Sequence, residues 1–182
     1  PRSRGLGDVY KRQVQNSAWP REDSDFFILS QLEKNDLRPA PATDKRTLIR
    51  RATYDLIGLP PTVAVTEAFL TDKSSNAFSK IVERLLASPH YGEKWGRHWL
   101  DVARYADSNG LDENLAYVNA FRYRNYVINS LNQDKPYNHF VQEQIAGDLL
   151  PLDKSESDEA RHSRRIATGF LSVGAKMLAE DD

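Results

Sequence analysis

His98 is the residue best suited to chemistry in this 182-residue chain. It stands between Trp95 and Trp99, and carboxylates follow at Asp101, Asp107, Asp112 and Glu113. An imidazole with several carboxylates nearby in sequence could form a general acid/base group or an oxygen-rich metal site. The same residues also have a plainer reading. A histidine flanked by tryptophans is expected to be a hydrogen-bonded core residue, since intermediate burial is usual for histidine. Asp101 lies one helical turn from both Arg97 and Arg104, so a bracing ion pair is the expectation there.

Two further patterns carry weaker signals. Asp107, Ser108, Asn109 and Asp112 have the look of a calcium loop. Counted from Asp107, however, the position that an EF-hand fills with glutamate is Val118. Trp95, Trp99, Tyr105, Tyr117, Tyr123 and Tyr126 could build an aromatic platform for a sugar ring, against the competing expectation that they pack the core. His90, His139 and His162 are isolated and carry no site claim. The chain contains no GxGxxG, no Walker-type loop, no HExxH and no GxSxG. No metal site is expected.

Composition narrows the function classes. The formal net charge is -1 and no long block carries one sign, which gives no case for a nucleic-acid footprint. No apolar run approaches the ~20 residues of a membrane-spanning helix, so no membrane insertion by this segment is expected. Cysteine is absent. A disulfide, a thiolate zinc site, a cysteine nucleophile and a covalently attached haem therefore cannot be built from these residues. Apolar residues make up 40%, enough for a core at this length.

The elements that must position His98 read as helices throughout, and the expected fold is all-α: one compact multi-helix domain with short loops and no substantial sheet. The central helix is predicted over Gly92 to Ala106, with Trp95, His98, Trp99, Val102 and Tyr105 along one side. Gly92 and Gly96, four apart, predict a close helix crossing. An N-terminal helix is capped by Asp23 or Ser24. A second runs from Asp44 to Ile57, capped by Thr43, with Leu48, Ile49, Ala52 and Leu56 inward and its four bases solvated. Gly58 closes it, and Leu59-Pro60-Pro61 forbids continuation. Thr62 begins a short helix. Asn76 to Ser88 follows, closed by Pro89, with Phe78, Ile81, Val82, Leu85 and Leu86 as its apolar set. Leu111 to Val118 is expected to be a loop. Asn119 to Leu131 has Phe121, Tyr123, Val127, Ile128 and Leu131 as candidates for burial, and Arg122, Arg124, Tyr123 and Tyr126 give it a polar, aromatic side. Tyr137 to Leu150 is capped by Asn138 and turns Phe140, Val141, Ile145 and Leu149 inward. An acidic, mobile stretch precedes a last helix over Glu159 to Leu171.

Residues 1–13 look like translated sequencing-adapter DNA from assembled environmental reads rather than native protein. Residues 14–23 read as an extended lead-in, 24–171 as the helical domain, and 172–182 as the truncated start of a next segment. The chain is thus expected to be a fragment of a longer protein.

The string WGRHWLDVARYADSNG, with DLIGLPPT before it and YVINSLNQDKPYNHFVQEQIAGDLLP after it, resembles a bacterial domain family of unknown function. That family is abundant in planctomycetes and related bacteria, where it accompanies cytochrome c-like modules. The resemblance spans Phe26 to Phe170. It implies an exported protein, periplasmic or at the cell surface, whose partners are cytochrome c-like and other domains of the same full-length chain. In relatives a CxxCH haem-attachment motif lies beyond the point where this chain stops. Covalent haem c is therefore expected elsewhere in the full-length protein and none in this fragment. Trp95, His98, Trp99, Asp101, Arg104, Tyr105 and Asp107 match the family motif and form the candidate binding or structural cluster. The leading function is scaffolding or partner binding near a c-type haem domain. The alternative is an enzyme acting on polysaccharide-derived substrates through His98, Asp101 and Asp107.

Overall fold

The computed structural model describes residues 14–110, 115–151 and 157–174. The fold is all-α. Its elements are α1 (Asp23–Lys34), α2 (Lys45–Ile57), α3 (Val63–Thr71), α4 (Ala77–Leu86), α5 (Pro89–Val102), α6 (Ala120–Asn132), α7 (Tyr137–Ala146) and α8 (Asp158–Ala167), the last followed by a 3-10 turn at Thr168–Leu171. An isolated bridge between Ser108 and Ala116 is the only β pairing among the described residues. No helix among them is long and apolar enough to cross a membrane.

The chain divides into two units, Pro1–Thr43 and Asp44–Asp182. In the first, α1 opens on a reciprocal capping box between Glu22 and Asp25. The cap is Glu22, not Asp23 or Ser24. The Asp25 carboxylate accepts from the Arg21 and Glu22 amides, which holds its pKa below the usual value. Glu33 accepts the amides of Gln15 and Asn16, which ties the lead-in to the helix.

The second unit has two apolar centres. Ile49, Phe69, Ala77, Ile81 and Leu85 join α2, α3 and α4. Tyr123, Tyr126, Val127, Phe140, Ala103 and Ala167 form the other, around α5 to α8. Ile49 and Val127 are wholly buried, each stabilising by about 1.5–3 kcal/mol. Asp44 caps α2 in place of the expected Thr43: its carboxylate accepts from the Thr47 amide and hydroxyl, and its pKa is lowered accordingly. Gly58 closes α2 in the left-handed region, with φ 72°. Lys45 does not project freely. Its ammonium donates to the carbonyls of Phe69 and Asp72 at the end of α3.

Pro89 opens α5 instead of only ending α4, and Ser88 caps it. Proline suits that position because the first helical amide has no intrahelical partner. The helix also ends sooner than its sequence pattern, at Val102. Arg104 adopts φ 55°, and the Tyr105 amide donates to the Leu100 carbonyl at 2.9 Å. This is the Schellman closure. Asp36 after α1 and Asp134 after α6 repeat it, with positive φ and amides of the next residues returning to Leu32 and Ser130.

The α5–α6 crossing is close because Gly92 has no side chain. A Cβ there would meet the Ile128 carbonyl, and would lie 2.6 Å from Asn132 Oδ1. Asn132 accepts the Gly92 amide at 2.7 Å and donates to the Pro89 carbonyl at 3.0 Å. The start of α5 is thereby clasped to the end of α6. Other expectations fail for identifiable reasons. Pro136 occupies the N-cap of α7, so Asn138 is not a cap. That helix stops at Ala146, leaving Leu149 80% exposed, and within it Ile145 is on the solvent face at 61% exposure. The last helix starts at Asp158, on Ser157 as cap, and tightens into the 3-10 turn after Ala167. Tyr123 is buried as expected, but Phe121 is exposed and Tyr126 is buried, because α6 turns its tyrosine side to the core. Phe78 and Leu86 lie on the outer edge of the α4 stripe.

Candidate functional site

The sequence-nominated residues separate into three environments. Trp99 enters the core. Its ring meets Phe140 edge-on at 4.9 Å between centroids and lies near Phe170 and Tyr137. Its Nε1 donates to Gln144 Oε1 at 2.8 Å and to the Tyr123 hydroxyl at 3.0 Å, and that hydroxyl donates in turn to Gln144 Oε1. Gln144 Nε2 returns to the Phe140 carbonyl, so every polar group of this buried cluster is engaged. Burial raises the Tyr123 pKa to about 12. Next to it, Tyr126 donates to Glu143, which also pairs with Lys135. Burial first, and the Glu143 carboxylate second, hold the Tyr126 phenol well above its ordinary pKa.

Trp95 and His98 lie outside this cluster. Trp95 is 40% exposed, and its ring lies between those of Tyr91 and His98, tilted to both, the His98 centroid 5.4 Å away. His98 is exposed, not sealed between tryptophans. The helix rotates it 100° from Trp99 per residue, so burying Trp99 carries His98 to the rim. Both residues line an open groove of about 400 Å3 between α5 and the α6–α7 corner. Trp99, Leu131, Tyr137 and Phe140 supply its apolar surface, and Lys135 and Ser130 its polar groups.

The third environment lies past the end of α5. Asp107 Oδ1 accepts the Tyr105 hydroxyl at 2.5 Å. Burial, then this carboxylate, raise the Tyr105 pKa to about 12. Tyr105 also stacks on Tyr123. Neither Asp101 nor Asp107 lines the groove that holds His98. Asp101 is exposed, and among the described residues it pairs with neither Arg97 nor Arg104. Two physical reasons apply. Arg104 has left the helix with its positive φ, which takes it off the shared strip. Arg97 precedes Asp101, the weaker order for such a pair, and Asp101 sits at the negative end of the helix dipole. No group of three or more His, Cys, Asp or Glu side chains comes together among the described residues. Asp112 and Glu113 lie outside those residues.

The pattern that defines PSCyt2, a protein of unknown function (DUF1549), matches residues 24–182. The chain belongs to that family. No curated protein and no solved structure matches it.

Within the PSCyt2 domain, sequence reasoning missed Asn132, Lys135, Glu143 and Gln144, which clasp or pin the helices around the groove. One signal for Gln144 was present. It falls four residues after Phe140, on the apolar stripe of α7, where a polar residue needs a buried partner. Of the expected aromatic platform, only Trp95 is exposed, at 40%; Tyr137, which was not among those residues, lines the same groove and is 70% exposed. Tyr123 and Tyr126 belong to the core.

Proposed function

We propose that this PSCyt2 domain is a non-catalytic binding module of an exported multidomain protein, and that it seats a partner surface near a c-type haem domain of the same full-length chain. One observation carries the reading. The only nominated titratable group at the groove is His98; neither Asp101 nor Asp107 lines it, and Asp107 accepts from the Tyr105 hydroxyl. An aromatic, open groove without an assembled acid and base is suited to binding rather than to proton transfer. Export and haem association rest on the sequence resemblance.

The test uses the full-length protein. Its reduced-minus-oxidised visible spectrum should contain a c-type haem band, and no such band would remove the haem part of the proposal. Trp95→Ala and Tyr137→Ala should weaken association between the isolated domain and the remainder of the full-length chain by at least tenfold. Equal binding by both variants would remove the groove as the docking site.

One observation favours the enzyme reading: the His98 imidazole is open to solvent and lines the groove. Acid/base chemistry on a polysaccharide-derived substrate would then need a second group brought by another domain. His98→Ala would abolish turnover without loss of fold; a fully active variant eliminates this reading.

A further inference from the structure

A second groove, of about 770 Å3, opens between the start of α6 and the end of α8. Tyr117, Ile166 and Val173 give it apolar walls, and Arg122 and Arg165 line it from the two helices. No aspartate or glutamate lines it among the described residues. In a chain of 25 basic and 26 acidic residues this is a local excess of positive charge. Both arginines are exposed, and among the described residues neither guanidinium has a carboxylate or hydrogen-bonding partner. Several cations of this unit are engaged, Lys135 with Glu143, Arg161 with Asp158 and Arg50 over the Tyr54 ring, while Arg97 and Arg104, like the groove arginines, have no carboxylate partner among the described residues.

A solvated surface is the ordinary fate of arginine, and Arg165 has a further structural justification. It lies in the last turn of α8, where a cation complements the helix dipole. Arg122 has none. It occupies the first turn of α6, where a cation opposes the dipole. The Asn119 side chain makes no capping bond and adds an amide at the rim. The volume falls in the ~300–1,000 Å3 range of ligand sites, more than a bare inorganic anion needs.

We propose that this groove binds a small organic anion. Arg122 and Arg165 grip its carboxylate, phosphate or sulfate group, and Tyr117, Ile166 and Val173 cover its apolar or ring-shaped body. Planar guanidinium groups suit all three head groups through paired hydrogen bonds. The groove is separate from the one lined by Trp95 and His98.

The test is isothermal titration of the 182-residue chain with phthalate, phenyl phosphate, phenyl sulfate, inorganic phosphate and phenol. At least one aryl anion should bind saturably, and at least tenfold more tightly than inorganic phosphate or phenol. The arm that binds identifies the head group. Arg122→Gln and Arg165→Gln should each weaken that binding at least tenfold with an unchanged circular dichroism spectrum. Arg124→Gln, on the same helix but outside the groove, should leave it unaltered. Higher salt should weaken it. The proposal is overturned if no aryl anion saturates, if phenol binds as well as the anions, or if both groove variants bind like the parent.

Discussion

Replacing Gly92 by alanine sets two effects against each other. Alanine in a helix is favoured over glycine by about 1 kcal/mol. The new Cβ, however, would press on the Ile128 carbonyl and on Asn132 Oδ1, a backbone atom and a held side chain that cannot simply swing away. Overpacking of this kind costs about 1–3 kcal/mol. If Asn132 is displaced, its bonds to the Gly92 amide and the Pro89 carbonyl are lost as well, about 1 kcal/mol each. The sum is a net loss of about 2–4 kcal/mol, which at this chain length lowers Tm by about 4–16 °C. Gly96→Ala is the control. Its Cβ meets the Ile128 side chain at 3.3 Å, and a side chain can yield by a few tenths of an ångström. The helix gain and the crowding then nearly cancel, within about 1 kcal/mol. Thermal and urea unfolding of both variants measures the difference. Asn132→Ala should cost less in the Gly92→Ala background than alone, because the two changes break the same clasp. If Gly92→Ala is neutral or stabilising, the close crossing of α5 and α6 is wrong.

Arg104→Gly should stabilise the fold by about 1 kcal/mol, because glycine adopts the left-handed closure of α5 without the strain of a Cβ; an unchanged or lower unfolding midpoint would argue against that conformation. Gln144→Leu should cost about 2–3 kcal/mol, since Trp99 and Tyr123 lose their shared acceptor inside the core; chemical denaturation checks it. Alkaline pH should destabilise the chain. Tyr105 and Tyr123 are raised to about 12 and Tyr126 is raised as well, so the folded form keeps protons that the unfolded chain releases near pH 10. The stability that Tyr105 and Tyr123 contribute is complete below about pH 10 and disappears as pH climbs through about 12, and that of Tyr126, raised further, is lost only at higher pH. A tyrosinate absorbance titration should therefore be biphasic, and a single transition near pH 10 under folded conditions would contradict the burial.

Most helices were legible in the sequence because punctuation and periodicity agreed. Gly58 before Leu59-Pro60-Pro61, and Thr62 before Val63, mark their boundaries by local chemistry alone. The errors arose where tertiary partners decide. Tyr126 carries a hydroxyl and reads as part of a polar side, yet Glu143 from α7 supplies its partner in the interior. Leu149 looked inward only if α7 continued past Gly147. The candidate site was half legible. The tryptophan-bearing stretch does sit at the groove, but periodicity could not tell which of Trp95, His98 and Trp99 would face in. A single helix offers several rotations, and Tyr123, Phe140 and Gln144, distant in sequence, select one of them. The expected Asp101 pairs failed because the left-handed turn at Arg104 is invisible in a helical projection.

The Asn132 clasp gives the α5–α6 pair unequal ends. At one end the backbone amide of Gly92 donates to Asn132; at the other the tie is between side chains, Trp99 Nε1 donating to the Tyr123 hydroxyl. Trp95 and His98 lie on α5 between those two ties, so the stretch of helix that brings them to the aromatic groove is anchored to α6 on both sides.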